Sequence, residues 1–106
     1  MAGVTDVPFR SLCRSFMDQG LAASSRDTVK PNHAPGLFVN QMITARAFVE
    51  ENKKTMKLAE FGENESPRSI QLYGTEPRSI KEAVQKLLAS EYVEHIDLNF
   101  GCPVPK

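Results

Sequence analysis

Three stretches with helical spacing alternate with three short apolar runs, and no turn that would reverse the chain lies between them, which restricts the fold to a parallel α/β arrangement. Asp6 can cap a helix with Pro8 in its first turn, and Phe9, Leu12, Cys13 and Phe16 recur at i, i+3, i+4 and i+7, predicting a helix over residues 7 to about 18. Residues 22–36 turn small and polar and read as an irregular insertion. The run LFVNQMI at 37–43 has the mixture of a strand buried on both faces. Thr44 can then cap a helix in which Ala45, Phe48, Val49 and Asn52 share a face that Met56 and Ala59 continue. After Gly62 and Pro67, SIQLY at 69–73 reads as a strand ending at Gly74. Thr75 and Pro77 start a helix with the stripe Ile80, Ala83, Val84, Leu87 and Leu88, and residues 95–99 make a further strand.

The series begins where a first strand should just have finished and stops where another helix should begin. A (β/α)8 barrel takes about 250 residues, so the 106 residues correspond to the N-terminal portion of a TIM barrel, roughly half of it, as a fragment. The expected domain is a single partial barrel over 1–106, with the insertion at 22–36. A composition that is 41% hydrophobic and 25% charged, with 13 basic and 13 acidic residues, suits an ordinary soluble domain and gives no global attraction to nucleic acid or membranes. No apolar run approaches the roughly 20 residues of a membrane span, so a cytoplasmic location is expected. Cys13 and Cys102 lack metal-ligand spacing and read as reduced thiols, with no metal expected.

Chemistry collects at one end of the expected sheet. IDLNFGCP at 96–103 is an alternating run that ends in an amide, a glycine and a thiol, and parallel α/β folds react at this end of their strands. The turn at residues 1–6, the strand end at 71–74 and the loop at 99–102 should all open onto one mouth. A flat heteroaromatic ligand with imide oxygens and nitrogens suits such an amide-lined site. Each residue also has a plainer reading. Cys102 taken alone reads more readily as a small buried thiol, and Gln71 equally as a strand-end amide bonded to backbone. Asp97 reads as a structural hydrogen-bond acceptor, Cys13 as packing, and Arg10, Arg14 and Arg46 as solvated helix residues. His33 and His95 have no evident partner and stay unassigned.

MAGVTDVPFR at 1–10, QMITARA at 41–47, IQLYG at 70–74 and HIDLNFGCPVPK at 95–106 occur in an order that resembles the successive motifs of the bacterial tRNA-dihydrouridine synthases. The resemblance implies an FMN-dependent TIM barrel followed by a helical domain, reducing the C5=C6 bond of tRNA uridines with NADPH. It further implies that Met1 and Ala2 form the turn against the flavin, that Gln71 hydrogen-bonds the isoalloxazine edge and that Asn99 pairs with the target uracil. Cys102 is then the general acid that protonates uracil C5 while hydride reaches C6 from the opposite face.

The chain departs from the family pattern in several places. Met1 corresponds to an internal residue at the end of the first strand. Gln41 stands where the family generally has Glu, and the long loop at 22–36 has no counterpart. The later strands, their basic and phosphate-binding residues and the helical tRNA-binding domain fall outside these residues, so this chain alone is expected to be inactive, with tRNA contacts made mainly by the missing parts. Two alternatives stay open: another FMN barrel of the dihydroorotate-dehydrogenase kind, which the opening MAGVTDVPFR disfavours, and a truncated, non-catalytic product.

Overall fold

The computed structural model describes residues 3–24, 36–90 and 92–101. Chain order is α1 (Val7–Ser24), β1 (Val39–Thr44), α2 (Ala45–Val49), α3 (Lys53–Leu58), β2 (Ser69–Tyr73), α4 (Pro77–Ala89) and β3 (His95–Leu98). The strands form one parallel sheet in the order β1-β2-β3, as the missing reversals required. Met42 of β1 pairs with Gln71 of β2, which pairs with Asp97 of β3, while Ile43, Leu72 and Leu98 form the next row.

Alternation along the strands separates two faces. Ile43, Ile70 and Leu72 are buried on the helix-covered side with Ala45, Phe48, Ala83 and Leu87 of α2 and α4. Burying each large aliphatic side chain of that set contributes about 1.5–3 kcal/mol. Gln71 and Asp97 lie on the opposite face. Pro77 starts α4 because its missing N–H is not needed in the first turn, and Ile80 donates its N–H to the Glu76 carbonyl at 3.2 Å. Of the expected α4 stripe, Leu88 is exposed instead.

Four local expectations change. The first helix runs on to Ser24, so 22–24 are helical rather than irregular; Leu21, Ala22 and Ala23 are good helix formers and Gly20 does not stop them. The rest of the expected insertion, 25–35 with His33, lies outside the described residues. The first strand starts at Val39 rather than residue 37. The single helix expected after Thr44 is two helices: Glu51 sits in the left-handed region at φ 55, and the Asn52 side chain accepts from the N–H groups of Lys54 and Thr55 at 3.1 and 3.3 Å to start α3. Thr44 takes the N-cap position without a side-chain cap bond; its hydroxyl donates to the Tyr73 hydroxyl at 2.9 Å.

The most consequential change concerns α1. Phe9, Leu12 and Phe16, expected to face the core, are 42%, 53% and 64% exposed, whereas Arg10, expected to be solvated, is 1% exposed. All five guanidinium N–H groups of Arg10 have acceptors. Nε and Nη2 donate to the two carboxylate oxygens of Glu65 at 2.6 and 2.8 Å, Nη2 also to the Glu60 carbonyl at 3.0 Å, and Nη1 to Asn40 Oδ1 at 2.7 Å and the Thr5 carbonyl. This bidentate pair lets a cation be buried, because no donor is left unmet. Arg14 is half-buried rather than solvated: it donates to the Ser66 carbonyl at 2.9 Å and lies over the Phe38 ring. Arg46 is exposed, as expected.

Candidate active site

The parallel register brings three polar side chains into one group. Gln71 and Asp97 are direct partners across β2 and β3, so their side chains leave the same face side by side. Asn99 extends the ladder one step beyond β3, its N–H donating to the Leu72 carbonyl at 2.9 Å, and two residues beyond Asp97 it returns to that face. Gln71 Nε2 donates to Asp97 Oδ2, Asn99 Nδ2 donates to Gln71 Oε1 at 3.3 Å, and Gly101 N–H donates to Asn99 Oδ1 at 2.9 Å. Asn99 Nδ2 also lies 3.4 Å from the Met42 sulfur, which connects the group to β1. These side chains are half-buried, with Phe100 89% exposed beyond them.

The donor inventory leaves capacity for a ligand. Gln71 keeps one Nε2 proton and one Oε1 lone pair, and Asn99 keeps a lone pair on Oδ1. A donor and an acceptor on neighbouring atoms suit a flat ligand whose edge carries an N–H beside a carbonyl oxygen. Asp97 is the hydrogen-bond acceptor expected of it. His95, left without a partner in the sequence, is hydrogen-bonded through Nδ1 to the Ser69 hydroxyl at 2.8 Å. Met1, Ala2 and Cys102 lie outside the described residues.

Their neighbours Gly3 and Gly101 are described. Gly3 has φ 76, the left-handed conformation that a permissive opening turn calls for. Its N–H donates to Gln41 Oε1 at 2.9 Å, and Gln41 Nε2 reaches the Leu58 carbonyl at 3.5 Å. The β1–β2 register slips by one residue between Val39 and Met42, so Asn40 and Gln41 are consecutive buried polar residues, one held by Arg10 and the other by Gly3. Gly3 therefore meets β1 on the side facing α3. Gln71 and Asn99 come together as expected, and the described part of the opening turn is tied to β1 through Gln41. A cleft of about 430 Å³ lies between that turn and α3, lined by Gly3, Val7, Pro8, Gln41, Lys57 and Leu58. A shallower groove of about 300 Å³ separates α2 from α4, where Arg46 and Arg78 are paired with Glu50 and Glu82 at 3.0 and 2.9 Å.

Sequence reasoning missed the Arg10–Glu65–Asn40 network, since partners 55 residues apart carry no local signal. Burial pushes the Glu65 carboxyl up, but the hydrogen bond and charge of Arg10, the Gly62 N–H at 2.7 Å and the charge of Arg14 outweigh it and hold it below the ordinary carboxylate value. Among the described residues no group of three His, Cys, Asp or Glu could hold a metal ion, and no helix is long and apolar enough to cross a membrane.

Comparison with known proteins decides the family. The model of the family described as dihydrouridine synthase matches residues 1–106. The chain belongs to the dihydrouridine synthase family. It is 45% identical over 106 residues to a probable tRNA-dihydrouridine synthase of Mycobacterium tuberculosis strain H37Rv, a match that covers 100% of this chain and 25% of that protein. It is 41% identical over 118 residues to the probable tRNA-dihydrouridine synthase of Mycobacterium leprae, covering 100% of this chain and 30% of the relative. Against tRNA-dihydrouridine synthase B of Pseudomonas aeruginosa the identity is 35% over 107 residues, covering 100% and 26%. The chain thus spans between 25% and 30% of the length of these three relatives. No solved structure matches it significantly.

Proposed function

We propose that this chain forms part of the catalytic (β/α)8 barrel of an enzyme that reduces uridine in tRNA to 5,6-dihydrouridine, with FMN as cofactor and NADPH as reductant. The observation that carries this reading is the family match across all 106 residues, which includes the paired amides Gln71 and Asn99. Sequential strand order with helices packed on the face of Ile43, Ile70 and Leu72 supports a barrel segment, because a doubly wound sheet changes strand order and covers both faces. The preceding strand, the later strands and a C-terminal helical domain that grips tRNA belong, on this reading, to sequence beyond these residues. Acting on tRNA with NADPH fits a cytoplasmic location.

FMN, when bound, supplies the hydride for uracil C6. Gln71 holds its pyrimidine edge through the spare N–H and lone pair, and Met1 and Ala2 lay the turn backbone against the ring. Asn99 orients the uracil. Cys102 gives its proton to C5, where carbanion character develops as C6 is reduced. A thiol, with an ordinary pKa of about 8.5, is mostly protonated at neutral pH and still able to release the proton. Cys102 therefore acts as an acid and not as a nucleophile.

The test is made on this sequence joined to the remainder of a barrel and its tRNA-binding domain. Cys102→Ala should leave the yellow colour on the protein through gel filtration and remove most NADPH-dependent reduction of tRNA, a loss of about 100-fold or more. Full reduction by that variant would refute the acid role. The 106 residues alone should give no turnover.

A further inference from the structure

We propose that Asp97 is a positioning residue that fixes the direction of both site amides and, through them, the backbone loop that leads to Cys102. The argument rests on which atoms can donate. An ionised carboxylate only accepts, so Gln71, placed opposite Asp97 by the β2–β3 register, must turn its Nε2 toward it. Its Oε1 then faces Asn99, which has to answer with Nδ2, as it does at 3.3 Å. That leaves Asn99 Oδ1 for the Gly101 N–H, which can only donate, at 2.9 Å. Reversing either amide would set oxygen against oxygen at one junction and nitrogen against nitrogen at the next.

The two ends of this series are fixed in kind, a carboxylate and a backbone N–H, and the two amides between them are symmetric enough to fit either way round. Asp97 is the charged end, and hydrogen bonds to charged groups are roughly twice as strong as neutral ones. The same atoms set what a ligand meets: one Nε2 proton and one Oε1 lone pair of Gln71, in a fixed sense. This last consequence rests on the function proposed above, since it takes the ligand to be a flavin edge. The orientation of the amides does not depend on it.

The test uses nuclear magnetic resonance on this chain without ligand. The wild type should show a nuclear Overhauser contact between the Asn99 side-chain amide protons and the Met42 methyl, because Nδ2 lies beside the Met42 sulfur. It should also show slowed exchange at the Gly101 amide. Asp97→Ala should lose the contact and speed Gly101 exchange about tenfold, and Asp97→Asn should move both in the same direction by less. The backbone amides of Ile70 and Leu72 should be unaffected. The double variant Gln71→Glu with Asp97→Asn places an acceptor between two amide donors, so it should restore the contact and the slowed exchange. Unchanged Asn99 and Gly101 signals in Asp97→Ala, or a double variant that fails to restore them, would overturn the role. If Asp97→Ala also loosens Ile70 and Leu72, the Asp97→Asn and double variants decide, because neither removes side-chain volume. None of these readouts needs FMN, so failure to bind FMN counts against the proposed function and leaves Asp97 to be judged by its own result.

Discussion

Arg10 is the residue on which most separate pieces of the chain depend, because its guanidinium reaches Thr5, Asn40, Glu60 and Glu65 at once. Replacing it with Met strands the Glu65 carboxylate in a buried site and should cost about 3–5 kcal/mol, measured as the fall in unfolding free energy in urea. Adding Glu65→Leu to Arg10→Met should recover much of that loss. The pH dependence follows from the depressed Glu65 value. A carboxyl held low when folded contributes stability that is fully present above its unfolded value, about 4.3, and is lost as pH falls from there through the folded value. Glu65→Gln should flatten the urea midpoint in that acid range. The comparison belongs at high salt, which screens exposed pairs such as Glu51 with Lys86, whose carboxyl is also held low by its hydrogen bond to Lys86. That Gln71 and Asn99 would stand together was legible in the sequence, because one lies within a short apolar strand and the other just past the end of the next. Arg10 was not, because it falls among the aromatic residues of its own helix and its acidic partner is distant in sequence.

At the scale of elements, the break between α2 and α3 shows what periodicity can and cannot reveal. Ala45, Phe48, Val49, Asn52, Met56 and Ala59 stay in phase across it, so the hydrophobic pattern reads as one helix. The interruption comes from backbone conformation at Glu51, a residue with no turn preference, and from the side chain of Asn52. Asn52→Ala should cost about 1 kcal/mol by removing the acceptor for two N–H groups. Glu51→Gly should stabilise by about 0.5–1 kcal/mol, since glycine takes a positive φ without the Cβ penalty and the exposed Lys86 pair contributes little. Thermal unfolding followed by circular dichroism checks both signs. The strands were read to within two residues because each is a short branched or aromatic run bounded by Gly or polar residues. The helix ends were harder to place, since Ala and Leu after Gly20 let α1 continue where polarity alone suggested a stop.

For the whole molecule, burial is uneven. The core gathers between β1, β2, α2 and α4, while Phe9, Leu12 and Phe16 of α1 and Phe100 after β3 remain exposed. Phe48→Ala, at 4% exposure, should cost about 3–5 kcal/mol, whereas Phe16→Ala, at 64%, should change stability by less than about 1 kcal/mol. The parallel α/β class was legible from the absence of reversing turns, and the family from motifs spread along the chain. The placement of the opening turn was not legible, because it is set by Gln41 and Arg10 through contacts the local pattern does not encode. The central claim is that β2 and β3 hold a flavin-recognising amide pair. Its most direct test is titration of FMN, followed by quenching of flavin fluorescence, against this sequence joined to the remainder of a barrel, which supplies the phosphate-binding residues, and against the Gln71→Leu variant of the same protein. The account predicts saturable binding that weakens about tenfold when the Gln71 amide is removed; no binding, or equal affinity for the two chains, would contradict it.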